Sequence, residues 1–332
     1  MTVISAIGLR KDFTVATKIG RFRRSRRVVS AVDGVDLTVE RGEMVGYIGP
    51  NGAGKSTTLK MMTGVLTPSG GSVSVCGFTP VPQRVKLARR IGVVFGQRSQ
   101  LWWDLPLRDS FDLLRHIYRV PAPEHASRLA ECRALLDLDE FIDTPVRQLS
   151  LGQRMRGEIT AALLHRPEVL FLDEPTIGLD VVSKHAVRGF LARLGEAGDT
   201  TLMLTTHDLA DIERLCPRLV VIDHGRVVHD GSLDALHARY RSVRRVVVDL
   251  DTPLTRPDAD EVAAPLGADV SVESITADGL RLTFALSTNT SAGALLARLA
   301  TVAPVRDLSV IEPDIEDVVA RLYQAPLTAA DT

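Results

Sequence analysis

Apolar and polar positions divide the chain into successive textures. Up to about residue 95, short β-rich runs at 3–9, 35–39, 44–48, 72–75 and 91–95 alternate with turns, and a helix is predicted from Lys55 to about Gly64. Between 109 and 162 the apolar residues fall at helical spacing with almost no strand signal. Strands return at 169–172, 201–204, 219–222 and 226–228, separated by a helix near 183–194. Such an order predicts a parallel α/β core interrupted by a helical insert, about 98–162. Around Tyr240 the texture changes again. Val246-Val247-Val248 and the alternating runs 270–275 and 280–286 read as strands, the last two joined by an Asp278-Gly279 turn. A helix at 291–300, a strand at 305–311 and a helix at 314–323 complete a small α+β domain of ferredoxin-like type. Pro253, Pro257 and Pro265 break the approach to it. The expected division is therefore 1–238 and 240–332, with no internal repeat and no coiled-coil heptads.

Composition narrows the function classes. With 332 residues, 45% hydrophobic and 24% charged, the chain is long enough for two cores of ordinary soluble type. A formal net charge of −1 gives no global attraction to nucleic acid. No apolar run approaches the roughly 20 residues of a membrane span, and the N-terminus shows no signal-peptide h-region. Cys76, Cys132 and Cys216 are odd in number and outside any CxxC, as in reduced, packed thiols of a cytoplasmic protein. Any membrane association is expected to run through a partner.

Candidate chemistry begins at Gly49-Pro50-Asn51-Gly52-Ala53-Gly54-Lys55-Ser56-Thr57, which fits GxxxxGK[ST] between a predicted strand and a helix. Glycines let backbone N–H groups wrap phosphates without an obstructing Cβ, and the following helix directs its positive end at them. Lys55 is expected on the β- and γ-phosphates of ATP, and the Ser56 hydroxyl on Mg²⁺. Val169-Leu170-Phe171-Leu172 predicts a buried strand that delivers Asp173 to the same metal, and Glu174 to an attacking water as general base or polariser.

Leu149-Ser150-Leu151-Gly152-Gln153 opens a helix between these two halves. With Gln97 before the insert, Gly178-Leu179-Asp180 after the carboxylates and His207 at a strand end, the set resembles the nucleotide-binding subunits of ABC transporters over about residues 1–235. The resemblance implies a P-loop NTPase core of RecA type with an antiparallel β subdomain and helical insert, binding ATP and Mg²⁺. It implies a second ATP-binding subunit, a copy of this chain, pressed on head to tail, and two integral-membrane permease subunits. Ser150, Gly152 and Gln153 would then reach the nucleotide of the other subunit. Gln97 would bridge magnesium and the insert, Asp180 would lie at the dimer seam, and His207 would hold the γ-phosphate and the water. Phe13 resembles the aromatic that stacks on adenine. Leu151 stands where the family usually has Gly; its side chain is expected to point away from the nucleotide. The segment 93–106, with Trp102 and Trp103, resembles stand-alone ATPases of bacterial drug and viologen exporters, in which this region borders a groove for a permease helix.

Other features are less chemical. Lys18, Arg21, Arg23, Arg24, Arg26 and Arg27 form a basic run, expected to be a solvated, mobile loop or a contact for anionic headgroups. Apart from His207, the histidines show no metal-ligand spacing. Two other functions compete. A non-membrane ABC ATPase of translation or DNA repair resembles tandem cassettes or carries long coiled coils, neither of which occurs here. A small-molecule P-loop kinase leaves 149–153 and His207 unexplained.

Overall fold

The computed structural model describes residues 1–19, 23–96, 98–206, 208–239, 243–266, 269–287, 290–311 and 319. The chain forms two compact units, Met1–Ser232 and Leu233–Thr332.

The first unit runs β1 (Thr2–Ile19), β2 (Arg23–Glu40), β3 (Met44–Ile48), α1 (Lys55–Met62), β4 (Gly70–Val75), α2 (Arg84–Leu87), β5 (Ile91–Phe95), α3 (Leu107–Tyr118), α4 (Ala122–Leu136) and α5 (Leu151–Leu163). It continues with β6 (Val169–Asp173), α6 (Val181–Ala197), β7 (Thr201–Thr205), α7 (Leu209–Leu215), β8 (Arg218–Asp223) and β9 (Arg226–Ser232). Its main sheet has the order β5-β6-β7-β3-β8-β9, parallel except for β9. β3 and β7 are buried along their whole length and β6 along its first four residues, the continuous apolar pattern of strands covered on both faces. An antiparallel sheet β2-β1-β4 packs its inward residues Ile4, Leu9, Val35, Val39 and Val75 into the same core as Tyr47, Phe171 and Met203. Between β5 and β6 stand α3, α4 and α5. Left-handed caps at Arg119 and Asp137 end the first two of these helices.

One expectation fails in this unit. The basic run is not a loop where it is described: β1 and β2 stay paired out to Lys18↔Arg24 and Ile19↔Arg23. Cross-strand pairs of β-branched and aromatic residues, Phe13↔Val29 and Thr14↔Val28, carry the ladder outward. The density of cations hid that pattern. Arg21 lies outside the described residues.

The second unit comprises α8 (Leu233–Arg239), β10 (Val243–Leu250), α9 (Arg256–Ala263), β11 (Val270–Ile275), β12 (Arg281–Ser287), α10 (Ala292–Val302) and β13 (Val305–Ile311). From β10 onward this is βαββαβ, with an antiparallel sheet in the order β11-β12-β10-β13, the split-βαβ arrangement of ferredoxin-like folds. Its own core gathers Val246, Val248, Phe284, Leu286, Leu295 and Leu299. α9 was not anticipated. Pro257 does not break it, because it occupies the first turn, where a missing N–H costs nothing. Thr255 and Asp258 close a capping box there. The helix expected over 314–323 lies outside the described residues except for Val319.

Candidate active site

The sheet order places β7 between β6 and β3, so the loops after β3 and β6 flank the end of β7. That crevice at the carboxyl ends of parallel strands is where α/β folds bind ligands.

The loop after β3 exposes Asn51 and Gly52 at its apex and buries Ala53, Gly54 and Lys55, with Ser56 and Thr57 half-buried. It is pinned from outside by Gly225, whose N–H donates to Ala53 O at 2.9 Å. Gly54 precedes α1 at φ 109, and a Cβ there would collide with Ala31 O; only glycine fits. Lys55 Nζ donates to Gly49 O at 2.5 Å and Pro50 O at 3.1 Å, which folds the ammonium back over the loop. Burial pulls its pKa down, while the charges of Glu174 and Asp173 oppose that shift. The cation therefore faces both carboxylates.

Asp173 ends β6, and its Oδ1 accepts from Ser56 Oγ at 3.1 Å and from Thr205 Oγ1 at 2.6 Å. Thr205 also accepts from the Glu174 N–H, at 2.9 Å through its carbonyl and 3.2 Å through its hydroxyl. Glu174 is held at φ 55, a left-handed conformation that costs a residue with a side chain about 1–3 kcal/mol. A cleft of about 380 Å³ opens among Ser56, Phe95, Gly96, Asp173, Glu174 and Ile177. Among the described residues no group of three His, Cys, Asp or Glu side chains could hold a metal. One hydroxyl and one carboxylate, both hard oxygen donors, fit Mg²⁺ that takes its remaining ligands from phosphate and water.

Ser150 is the N-cap of α5 in a full capping box: its Oγ accepts from Gln153 N at 3.2 Å, and Gln153 Oε1 accepts from Ser150 N at 2.9 Å. Leu151 is the first helical residue and is partly exposed, with no positive φ, so the departure from glycine carries no backbone cost. Gly152 is buried, and a Cβ there would lie 2.6 Å from Ser183 Cβ and closer still to Ser183 Oγ. Ser183 is in turn bound to Asp180, the N-cap of α6, by its N–H at 2.9 Å and its hydroxyl at 2.7 Å. These donors hold the Asp180 carboxyl below the usual carboxylate range.

Phe13 is partly exposed on β1, with Lys11 Nζ 5.3 Å from its ring centroid, so it is not a core residue. Gln97 and His207 lie outside the described residues. Their neighbours are fixed: Gly96 N donates to Asp173 O at 3.0 Å, and Asp208 accepts from Lys184 Nζ at 2.9 Å and Arg188 Nη2 at 3.2 Å. Arg188 also binds the buried Asp211, which accepts from the Thr176 hydroxyl. Sequence reading missed Thr205, Thr176 and this ionic clasp. The one signal for Thr205 was a polar residue directly after the apolar run Leu202-Met203-Leu204.

Residues 32–177 match the family model described as ABC transporter. The ABC transporter ATP-binding protein NatA of Bacillus subtilis is 33% identical over 67% of this chain and 90% of its own length. This chain belongs to the ABC transporter ATP-binding family. The Nod factor export ATP-binding protein I of Cupriavidus metallidurans is 38% identical over 65% of this ABC ATPase and 71% of that relative. Among solved structures, the ATP-binding subunit of an ABC transporter matches at a TM-score of 0.61 and 27% identity, over 72% of this chain and 93% of that one. A dimeric post-hydrolysis state of the ATP-binding cassette MJ0796 with ADP and Pi matches at 0.58 and 27%, over 69% and 98%. The chain is accordingly an ATPase subunit of a transporter.

Proposed function

We propose that this ABC ATPase works as a head-to-tail pair with a second copy of itself on two membrane permease subunits, and that it drives export. The observation that carries the catalytic part is the convergence of Ser56 and Thr205 on Asp173, with Glu174 one residue beyond. Names of relatives such as the Nod factor export protein support the direction, and the dimeric cassette supports the pairing. No helix among the described residues is long and apolar enough to cross a membrane, which fits attachment through permeases at the cytoplasmic face.

In this reading the backbone N–H groups of Gly49, Asn51, Gly52, Ala53 and Gly54 cradle the phosphates, Thr57 continues the cradle, and Lys55 leaves its carbonyl partners for the β- and γ-phosphates. Mg²⁺, when bound at Ser56, Asp173 and Gln97, neutralises developing phosphate charge. Asp173 is oriented by Thr205 so that a lone pair faces the cleft. Glu174, its backbone tied to Thr205, takes or polarises the proton of the attacking water. His207 steadies the γ-phosphate and that water, and the partly exposed Phe13 stacks on adenine. Ser150, Gly152 and Gln153 at the start of α5 complete the site of the other copy, with Asp180 at the seam. Trp102 and Trp103, both exposed, floor the groove for a permease helix.

The test is Glu174→Gln in the full chain. Turnover should fall at least about a hundredfold, because the general base is lost while binding groups remain. The ATP-loaded protein should run as a dimer by light scattering. Undiminished turnover, or a monomer burning ATP as fast as the pair, would remove this reading.

A further inference from the structure

Glu158 is a buried carboxylate, 4% exposed, on α5, about two turns beyond Ser150. No ion pair forms at Glu158 among the described residues. Its partners are hydrogen-bond donors from one short segment. The Ser99 hydroxyl donates to Oε1, the Gln100 N–H donates to Oε2 at 3.2 Å, and Gln100 Nε2 donates to the Glu158 backbone carbonyl at 3.1 Å. Ser99 is itself locked, accepting from Leu101 N at 3.1 Å. Gly157 lets both α3 and this loop come close, because a Cβ there would lie 2.8 Å from Leu107 at the start of α3 and 3.2 Å from Leu101. Burial pushes the Glu158 carboxyl up, against the donors that favour its charge.

A carboxylate in a packed interface is costly even with these donors and the favourable charge of Arg154, and an apolar residue would fill α5 at lower cost. What the carboxylate provides is two acceptors aimed at one loop. That loop leaves the core at Gly96, whose N–H is bonded to Asp173 O at 3.0 Å, and reaches the helical insert within three residues. Gly96 is therefore tied to the strand that carries the catalytic carboxylates, and Ser99 and Gln100 are tied to the helix that Ser150 caps.

We infer that Glu158 is a positioning residue that locks the segment Ser99–Leu101 to α5, so that the loop leaving β5 and the capped end of α5 move as one body when the subunit meets its partner. Glu158 touches no nucleotide; it acts by setting where Ser150 stands. The inference rests on the reading that α5 completes the partner's site, and the experiment separates the two.

ATP-driven dimerisation is measured by light scattering in Glu174→Gln, alone and with Glu158→Ala, Ser99→Ala or both, alongside affinity for a fluorescent ATP analogue. Glu158→Ala should weaken the ATP dimer about tenfold, the loss of roughly one charge-assisted hydrogen bond. Nucleotide affinity of the subunit should stay within about twofold, because the phosphate loop is untouched. Ser99→Ala should weaken the dimer in the same direction, and the double variant should be no worse than Glu158→Ala, as coupled partners require. Glu158→Gln, which keeps one acceptor, should recover part of the loss. If Glu158→Ala does not fold, the milder Ser99→Ala and Glu158→Gln carry the comparison. A Glu174→Gln protein that never dimerises with ATP sinks the pairing and this inference together. Dimerisation that survives Glu158→Ala unchanged, or losses from Ser99→Ala and Glu158→Ala that simply multiply, overturns the role of Glu158 alone.

Discussion

At the residue scale, the parts of the site that could be read in advance are those whose chemistry is contiguous. The phosphate loop and the Asp173-Glu174 pair each occupy one short stretch, so spacing alone exposes them. Thr205 could not be read this way, because its bond to Asp173 depends on the parallel register Asp173↔Thr205 between β6 and β7. Glu158 was equally hidden: on a helix, a glutamate looks like a solvated residue until its burial is known. Two substitutions test the local geometry. Glu174→Gly should abolish turnover and be about 1 kcal/mol more stable than Glu174→Ala, which loses the same carboxylate but keeps φ 55 on a residue with a Cβ. Thermal unfolding of the two variants alongside an ATPase assay reads both effects, and a glycine variant no more stable than the alanine one would contradict the strain. Gly152→Ala should drive the new methyl into Ser183 and dislodge the Asp180 cap, costing about 1–3 kcal/mol as overpacking does. Adding Ser183→Gly should restore part of that loss in the same melt.

At the element scale, central strands were legible because burial on both faces leaves mostly apolar residues, and the phosphate-loop helix because its motif stands between a strand and a helix. Elements at the periphery were not. The pairing of β1 with β2 beyond Phe13 was masked by a run of cations, and α9 by Pro257, although a proline in the first turn favours a helix start. The capping box of α9 gives a test confined to the second unit. Thr255→Ala removes the hydroxyl that donates to Asp258 at 2.5 Å and should destabilise that unit by about 1 kcal/mol. The Asp258 carboxyl is held below its usual range, first by the Thr255 hydroxyl. Its contribution is therefore fully present above the ordinary carboxylate pKa and fades as pH falls through the lower folded value. Chemical denaturation of the variant and the parent at pH 7 and pH 3 should show the difference shrinking at acid pH.

At the scale of the whole molecule, two units with separate cores predict two unfolding transitions. ATP at a hundred times its Kd should raise the transition of Met1–Ser232 by about 2.7 kcal/mol and leave the other in place. Phe284→Ala should do the converse, lowering only the second by about 3–5 kcal/mol. Calorimetry with and without nucleotide distinguishes these outcomes from a single shared transition. The sheet order has one more consequence. β7, residues 201–205, is inserted between β3 and β6, both of which precede it in the chain. A nascent chain cannot bring its lysine loop beside its acidic pair until the wedge between them has been synthesised, so the growing polypeptide should remain unable to spend ATP until residues 201–205 have emerged.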